Sequence, residues 1–255
     1  MPRTERSFRT SAIIVRRRDF GEADRMLTVI TPHHGKIDVL AKGARKTTSH
    51  KTGHVELLTQ TEMLINTGRD FGIVAQVEMV EPYLPLREDL ARGAYAAYAA
   101  ELLDRFTNLG DEDSNSLFVL FKETLQRLAL ATDPQLAVRY FEMRLLDLVG
   151  FRPEMHECIV GHEPIEPRDQ FFSPEQGGAV CPEHVIRSAN CIPISMLALK
   201  LLRHMQRSSY EAIESLSISP AIHDEVERVL ISYITSILER RLQSVEFIRR
   251  VRQSR

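Results

Sequence analysis

The chain has 255 residues, of which 43% are hydrophobic and 27% charged, and its formal net charge is −2. This is the composition of an ordinary globular protein, long enough for one large domain or two average ones. Three cysteines do not form a disulfide framework, and no apolar run approaches a membrane span or a signal peptide, so we expect a cytoplasmic protein without a membrane anchor.

Charge is distributed unevenly along the chain. Residues 1–52 contain 12 Lys or Arg and five Asp or Glu, whereas the remainder contains 21 basic and 30 acidic residues. Within that remainder, residues 237–255 are basic again, with six Arg and two Glu. A basic first segment indicates a polyanionic partner, although a solvated basic face is an equally ordinary interpretation of charge alone.

Short runs rich in β-branched residues follow one another in the first 81 residues. The five runs are residues 11–18, 24–31, 35–43, 55–67 and 70–81. In the third run Ile37, Val39 and Ala41 alternate with polar residues, which is typical of a strand with one buried face. Five strands at this spacing predict a small closed barrel of the OB type, and an SH3-like barrel fits the same pattern.

Beyond the barrel the hydrophobic period changes from two to 3.6, which indicates helices. Pro82 and Pro85 mark the change. The pairs Asp133-Pro134 and Ser219-Pro220 each combine an N-cap residue with proline at the first helical position, so each predicts the start of a helix.

An irregular insert interrupts these helices over residues 151–190. It contains five prolines and the pair Gly177-Gly178, so neither a helix nor a long strand persists there. We therefore predict an α+β protein with a five-stranded OB-type barrel domain over residues 1–82 and a helical domain over residues 83–255 that carries the insert.

The order of four short motifs resembles the RecO family of bacterial DNA repair proteins, over nearly the whole chain. No single motif is decisive, and the resemblance depends on their order and spacing. The motifs are RDFGEAD at 18–24, AKGARK at 41–46, GFRP at 150–153 leading to Cys158, and GGAVC at 177–181.

The resemblance implies a fold and a function. RecO proteins have an N-terminal OB fold and a helical domain, often with a zinc-ribbon-like insert. They bind single- and double-stranded DNA and anneal complementary strands without nucleotide hydrolysis. With RecR, and in many bacteria RecF, they load RecA onto DNA covered by single-strand-binding protein. The resemblance thus implies a nucleoid-associated protein, whose helical domain would accept the acidic C-terminal tail of single-strand-binding protein.

We predict that DNA binds to the basic barrel through a cationic rim and stacking aromatic rings. The predicted DNA-binding residues are Arg16, Arg17, Arg18, Phe20, Lys36, Lys42, Arg45, Lys46 and Lys51. Three consecutive arginines on a strand cannot all face one way. Phe20 and Phe71 are the stacking candidates, and burial in the core is an equally good interpretation of Phe20.

The insert departs from the two C-x-x-C pairs that commonly hold zinc in RecO-type inserts. Glycine replaces the second thiol of the first pair, and histidine ends the second pair. The predicted ligands of a structural Zn²⁺ are Cys158, His162, Cys181 and His184. His156 is a substitute ligand, and a metal-free insert is the alternative. Cys191 lies outside this spacing and is expected to pack as a small hydrophobe.

Catalytic signatures are missing from the sequence. It contains no phosphate-binding P-loop, no H-E-x-x-H and no G-x-S-x-G motif, its carboxylates are scattered, and His33-His34 falls in a predicted solvent-exposed turn. We therefore predict that the protein is not an enzyme. An interaction scaffold whose barrel contacts RNA or protein is the main alternative function, and a metal-dependent nuclease is a more distant one.

Overall fold

The computed structural model describes residues 6–47, 49–110, 114–187 and 190–253. The helices and strands, in chain order, are β1 (Ser7–Phe20), β2 (Asp24–Thr31), β3 (Gly35–Ala41), β4 (Gln60–Asn66), β5 (Gly72–Glu81), α1 (Pro85–Glu88), α2 (Leu90–Phe106), α3 (Asn115–Leu130), α4 (Pro134–Leu148), β6 (Gln170–Ser173), β7 (Gly178–Val180), β8 (Ile192–Ile194), α5 (Met196–Arg207), α6 (Tyr210–Ile213), α7 (Pro220–Leu238) and α8 (Gln243–Gln253). In the described part of the chain no helix is both long and apolar enough to cross a bilayer.

The chain divides into two compact units, residues 1–130 with 247–255, and residues 131–246. The change from strands to helices occurs between Glu81 and Pro85, as the sequence predicts. Residues 83–130 nevertheless group with the barrel. The domain boundary between residues 82 and 83 therefore stays a prediction.

In the first unit, strands β1 to β5 close into a barrel in the order β1-β2-β3-β5-β4. Neighbouring strands are antiparallel except β3 and β5, which are parallel. This arrangement confirms the OB-type barrel and removes the SH3-like alternative.

Alternate residues of the strands fill the barrel, as the period of two predicts. The core residues are Ala12, Ile14, Leu27, Val29, Val39, Ala41, Ala44, Val55, Met63, Ile65 and Val74. The register between β1 and β2 shifts between Ile14 and Arg16, so that Arg17 lies opposite Leu27 and Arg18 opposite Met26. The shift decides which arginines of β1 face outward.

The predicted strand over residues 55–67 is a strand only from Gln60 onward. A 3-10 turn at Thr52–His54 precedes it, and Leu58 has a φ of 59°, in the left-handed region that a strand does not contain. Val55 is still buried in the barrel. Its apolar side chain signals the core correctly, but its backbone belongs to a loop.

In the second unit, α4 and α7 start where the sequence predicts. The side chain of Asp133 accepts a hydrogen bond from the Leu136 backbone N–H at 3.0 Å, and that of Ser219 accepts one from the Ile222 N–H at 3.4 Å. Both are N-caps followed by proline, which satisfy backbone donors that a helix leaves free.

The insert contains only short strands, in agreement with the prediction. Strands β7, β6 and β8 form a three-stranded sheet with β6 in the centre. Gly177 has a φ of +72°, and a Cβ added there would lie 2.7 Å from the Tyr233 hydroxyl, so only glycine fits. That hydroxyl donates a hydrogen bond to the Phe151 carbonyl at 3.0 Å, which ties α7 to the start of the insert.

Candidate nucleic-acid interface and metal centre

A groove of about 530 Å³ lies on the outer face of the barrel. Its walls are formed by the end of β1, by β2 and β3, and by the loop over residues 67–71 between β4 and β5. The face made by strands 2 and 3, with the loops that follow strands 1 and 4, is where OB folds bind oligonucleotides. The groove therefore has the position of a nucleic-acid site.

Phe20 and Phe71 form one aromatic pair in this groove. Their ring centroids lie 6.2 Å apart in an edge-to-face arrangement, and Phe20 is 43% exposed, which removes the alternative of burial in the core. A Cβ added at Gly68 would lie only 2.0 Å from the Phe71 carbonyl oxygen. Glycine at this position thus allows the tight loop that brings Phe71 next to Phe20.

Phe8 and His34 form a second aromatic pair in the groove, which sequence reasoning missed. Their ring centroids lie 4.0 Å apart, and the His34 N–H donates to the Thr31 hydroxyl at 3.1 Å, which holds the turn between β2 and β3. Phe8 precedes the predicted first strand, and His34 was expected in a solvent-exposed turn. The longer β1 brings the two rings together, and only its alternating pattern before residue 11 signals this.

The three consecutive arginines of β1 have different environments. Arg18 lines the groove, and Arg16 is exposed, with a guanidinium nitrogen 3.8 Å from the Asp104 carboxylate. Arg17 instead pairs with Glu56, to which Arg25 also donates at 3.2 Å. Burial alone would raise the pKa of Glu56, but its hydrogen bonds with the two arginines hold that pKa below its usual value. Arg17 is therefore engaged within the barrel.

Lys36 is not on the DNA-facing surface, contrary to the prediction. Its side chain is buried, and its ammonium group donates to the Asp104 carbonyl oxygen at 2.6 Å and to the Asp104 carboxylate at 3.0 Å. Its position in the alternating pattern of β3 places it outside the barrel, but α2 covers it there. Lys36 is removed from the candidate set.

Lys51 is also engaged internally, contrary to the prediction. Its ammonium group donates to the Val74 carbonyl oxygen at 2.6 Å. Burial lowers the pKa of Lys51, and the charge of Asp24 partly offsets this. A cation used to satisfy a backbone carbonyl is poorly placed to bind phosphate.

The loop after β3 keeps three predicted cations on the surface: Lys42, Arg45 and Lys46 are exposed. Asp24 accepts a hydrogen bond from the Gly43 N–H at 2.7 Å and thereby anchors the loop beside β2. Arg45 also lies 3.4 Å from the Asp19 carboxylate, an exposed pair that costs little to separate. Outside the predicted set, Arg69 lines the groove with Arg18, and neither forms an ion pair with another described residue.

A second cluster lies in the insert, where Cys158, Glu163, Cys181 and His184 have ligand atoms within 4.8 Å of one another. The Cys181 sulfur lies 3.1 Å from His184 Nδ1 and 2.7 Å from a Glu163 oxygen. The Cys158 sulfur lies 3.6 Å from His184 Nδ1. Zinc holds sulfur at ~2.3 Å and nitrogen or oxygen at ~2.1 Å, so this compact set of four donors fits a tetrahedral ion.

The two thiols of the cluster have opposite pKa shifts. Burial tends to raise the pKa of Cys158, but the N–H groups of Cys181 and Gly161 donate to its sulfur, and the net pKa is lowered. Burial and the hydrogen bond with Glu163 raise the pKa of Cys181 to about 12. A bound cation would favour the thiolate at both positions, because metal binding releases the thiol proton.

His162 is not part of the cluster, contrary to the predicted ligand set. It is exposed, with a left-handed φ of 62°, and the chain turns there so that Glu163 enters the cluster instead. A Cβ added at Gly161 would lie 2.0 Å from a Glu163 carboxylate oxygen, so glycine leaves room for the carboxylate. His156 is exposed and also lies outside the cluster. Acidic ligands were outside the C-x-x-C and histidine spacing from which the site was predicted.

Two family profiles match almost the whole chain. The profile described as "Recombination protein O N terminal" matches residues 5–83, and the one described as "Recombination protein O C terminal" matches residues 87–246. The first covers the barrel, and the second covers the helices and the insert.

Curated relatives agree with these profiles. A "DNA repair protein RecO" of Roseiflexus sp. is 40% identical over 249 residues, which cover 98% of this chain and 87% of the relative. Proteins of the same name from Dehalococcoides mccartyi and Pelotomaculum thermopropionicum are 36% identical over 91% of both chains, and 34% identical over 97% of this chain and 95% of the relative.

Proposed function

The chain belongs to the RecO family of DNA repair and recombination proteins, and from this premise we propose that it binds single- and double-stranded DNA and anneals complementary strands without ATP. It thereby helps to load RecA onto DNA covered by single-strand-binding protein. The family consists of recombination mediators, not enzymes.

The observation that carries the proposal is the aromatic pair Phe20 and Phe71 beside Arg18 in the OB groove. The faces of bases in a single strand are free to stack on aromatic rings, whereas those of a duplex already stack on each other. Arginine beside the rings attracts the phosphates between successive bases. The groove therefore suits a single strand, held with its bases unpaired.

The exposed loop cations extend this surface, which we define as the DNA-binding surface of the barrel. Its members are Arg16, Arg18, Phe20, Lys42, Arg45, Lys46, Arg69 and Phe71. Positive charge at this density screens the repulsion between two phosphate backbones. Annealing then needs no nucleotide hydrolysis, because base pairing itself supplies the free energy.

The insert is proposed to hold a structural Zn²⁺ through Cys158, Glu163, Cys181 and His184. Such an ion would join the segment around Cys158 to the segment around Cys181 and stabilise an insert that has only short strands. The four side chains then act as ligands that maintain the fold of the insert, with no role in a reaction.

The partner proteins in this proposal are RecR, the acidic tail of single-strand-binding protein and, indirectly, RecA. Family membership supports them. The same reasoning places the protein in the cytoplasm, with the DNA of the nucleoid.

Annealing of complementary oligonucleotides without ATP, measured across a salt series, tests the function. We expect faster annealing than without protein, and an affinity for single-stranded DNA that falls with salt at a logarithmic slope of about −3 to −4, from about five phosphate contacts at ~0.7 each. Absence of both annealing and DNA retention would favour the scaffold alternative, and loss of labelled DNA in Mg²⁺ would reveal a nuclease.

A further inference from the structure

Helix α5, in the second unit, has one strongly cationic face. Lys200, Arg203, His204 and Arg207 are spaced by three, four and seven residues, which places them on one side of a helix. The helix contains no acidic residue. Its opposite side is buried and includes Leu199, Leu202 and Met205. The cationic side is thus fixed in place by an apolar side that packs in the core.

Arg203 is held rigidly in this face. Its guanidinium donates two hydrogen bonds to the Met155 carbonyl oxygen, at 2.8 and 2.6 Å. Burial, and then the charge of Arg207, lower the pKa of Arg203. Arg207 is exposed one helical turn further on, about 6 Å along the axis. The two like charges are therefore close and fixed relative to each other.

The insert adds a further cation to the same region. The charges of Arg203, Arg207 and Arg152 all act on the His156 imidazole, so the three guanidinium groups surround one point. Arg152 is half-exposed and lies 3.6 Å from the Asp147 carboxylate. The nearby Glu154 carboxylate accepts hydrogen bonds from the backbone N–H groups of His156 and Glu157, at 2.6 and 3.1 Å.

Stabilisation of α5 accounts for only part of this arrangement. Cations in the last turn interact favourably with the helix dipole, which explains His204 and Arg207. Lys200 lies outside that turn, and Arg152 lies on another segment. Several like charges on one surface repel each other and become favourable when an anionic partner binds.

We propose that this surface, formed by Arg152, Lys200, Arg203 and Arg207 and here called the α5 surface, binds the sugar–phosphate backbone of a second DNA strand while the barrel groove holds the first. The planar guanidinium forks of three arginines match phosphate geometry. An acidic peptide with apolar anchors would need an apolar pocket, and the exposed large apolar residue of α5 is Leu197, at the start of the helix. The inference deepens the proposed function and rests on it for the identity of the first strand.

Titration of the full chain with labelled oligothymidine, which cannot pair with itself, tests the proposal. We expect two binding phases for the wild-type protein. The variant Lys200→Gln/Arg207→Gln leaves Arg203 and its structural hydrogen bonds intact. It should weaken the second phase about tenfold or more and reduce the magnitude of its salt slope by about 1.4, from two lost contacts at ~0.7 each.

A matched control removes the same charge from exposed residues elsewhere on the second unit. Arg228→Gln/Arg240→Gln should leave both phases within about twofold. Phe20→Ala/Phe71→Ala should remove the first phase and keep the second. If that variant changes neither phase while Lys200→Gln/Arg207→Gln still removes one, the proposed function of the groove fails and the α5 surface stands.

The proposal is wrong if the wild-type protein shows a single phase or if Lys200→Gln/Arg207→Gln leaves the second phase unchanged. It is also wrong if an oligoglutamate peptide binds the α5 surface more tightly than oligothymidine does, because the occupant is then an acidic protein segment. Far-ultraviolet circular dichroism of each variant, compared with wild type, excludes a loss of folding.

Discussion

The ammonium group of Lys36 on β3 donates hydrogen bonds to both the backbone carbonyl and the carboxylate of Asp104 near the end of α2, at 2.6 and 3.0 Å. The pair joins the barrel to a helix within the first unit. Asp104 also faces Arg16 at 3.8 Å. A lysine that composition and position assign to the DNA surface is therefore part of the internal structure.

Replacement of Lys36 by methionine should lower stability and leave DNA binding unchanged. The buried Asp104 oxygens lose a charged donor, which costs about 1.5–3 kcal/mol in the free energy of unfolding. Urea unfolding and oligonucleotide anisotropy measure the two effects separately. The exposed Lys42, changed to methionine, should give the opposite result, and weaker DNA binding by Lys36→Met with full stability would contradict the structure.

Charge reversal in the loop after β3 should weaken DNA binding without unfolding the protein. In Lys42→Glu/Arg45→Glu/Lys46→Glu the three exposed side chains lose only one exposed ion pair, between Arg45 and Asp19. Such a pair contributes about 0–1 kcal/mol, so the unfolding temperature should change little, whereas three repulsive charges should lower affinity by orders of magnitude. Unaltered affinity at low salt would exclude the loop from the DNA-binding surface.

The barrel and the helix starts could be predicted because they depend on local patterns. Alternation along β3 and the N-caps Asp133 and Ser219 are written in neighbouring residues. The environment of a cation is not local. Lys36 and Lys51 look like surface residues, but α2 and the Val74 carbonyl, distant in sequence, bind them.

The candidate sites show the same limit. Phe8 and His34 come together through strand pairing, and Glu163 replaces His162 because the backbone turns at a residue with positive φ. Residue type and spacing indicated a cluster around Cys158 and Cys181. They did not indicate that a carboxylate would complete it.

The purified protein should contain about one equivalent of zinc, measured by mass spectrometry of the metal. Glu163→Ala should lower zinc affinity, whereas His162→Ala, which changes the neighbouring exposed residue, should retain the metal. Less than about a tenth of an equivalent in the wild-type protein, with no uptake on addition of Zn²⁺, would end the zinc proposal. Loss of zinc from His162→Ala but not from Glu163→Ala would reverse the ligand assignment.

The ion pair between Asp133 and His223, 2.9 Å apart, should make stability depend on acid pH. Burial tends to raise the pKa of Asp133, but hydrogen bonds with His223 and the Leu136 N–H hold it below its usual 3.8. A lowered pKa contributes stability above that value, and the contribution is lost as pH falls through the folded-state pKa.

Asp133→Asn tests this dependence, because asparagine keeps an N-cap oxygen and removes the charge. The difference in unfolding free energy between wild type and variant should be largest near neutral pH and should shrink below pH ~4. An equal difference at both pH values would show that the carboxylate charge does not stabilise the fold.

The central claim is that the barrel groove holds a single strand by stacking, and the affinity of Phe20→Ala/Phe71→Ala for an oligothymidine, measured by fluorescence anisotropy, tests it most directly. Two lost stacking contacts at ~1–3 kcal/mol each should weaken binding at least about 30-fold with an unchanged salt slope, because no charge is removed. Phe247→Ala removes a ring of equal exposure, 43%, on α8 and should leave affinity within about twofold. Wild-type affinity in Phe20→Ala/Phe71→Ala would contradict the claim.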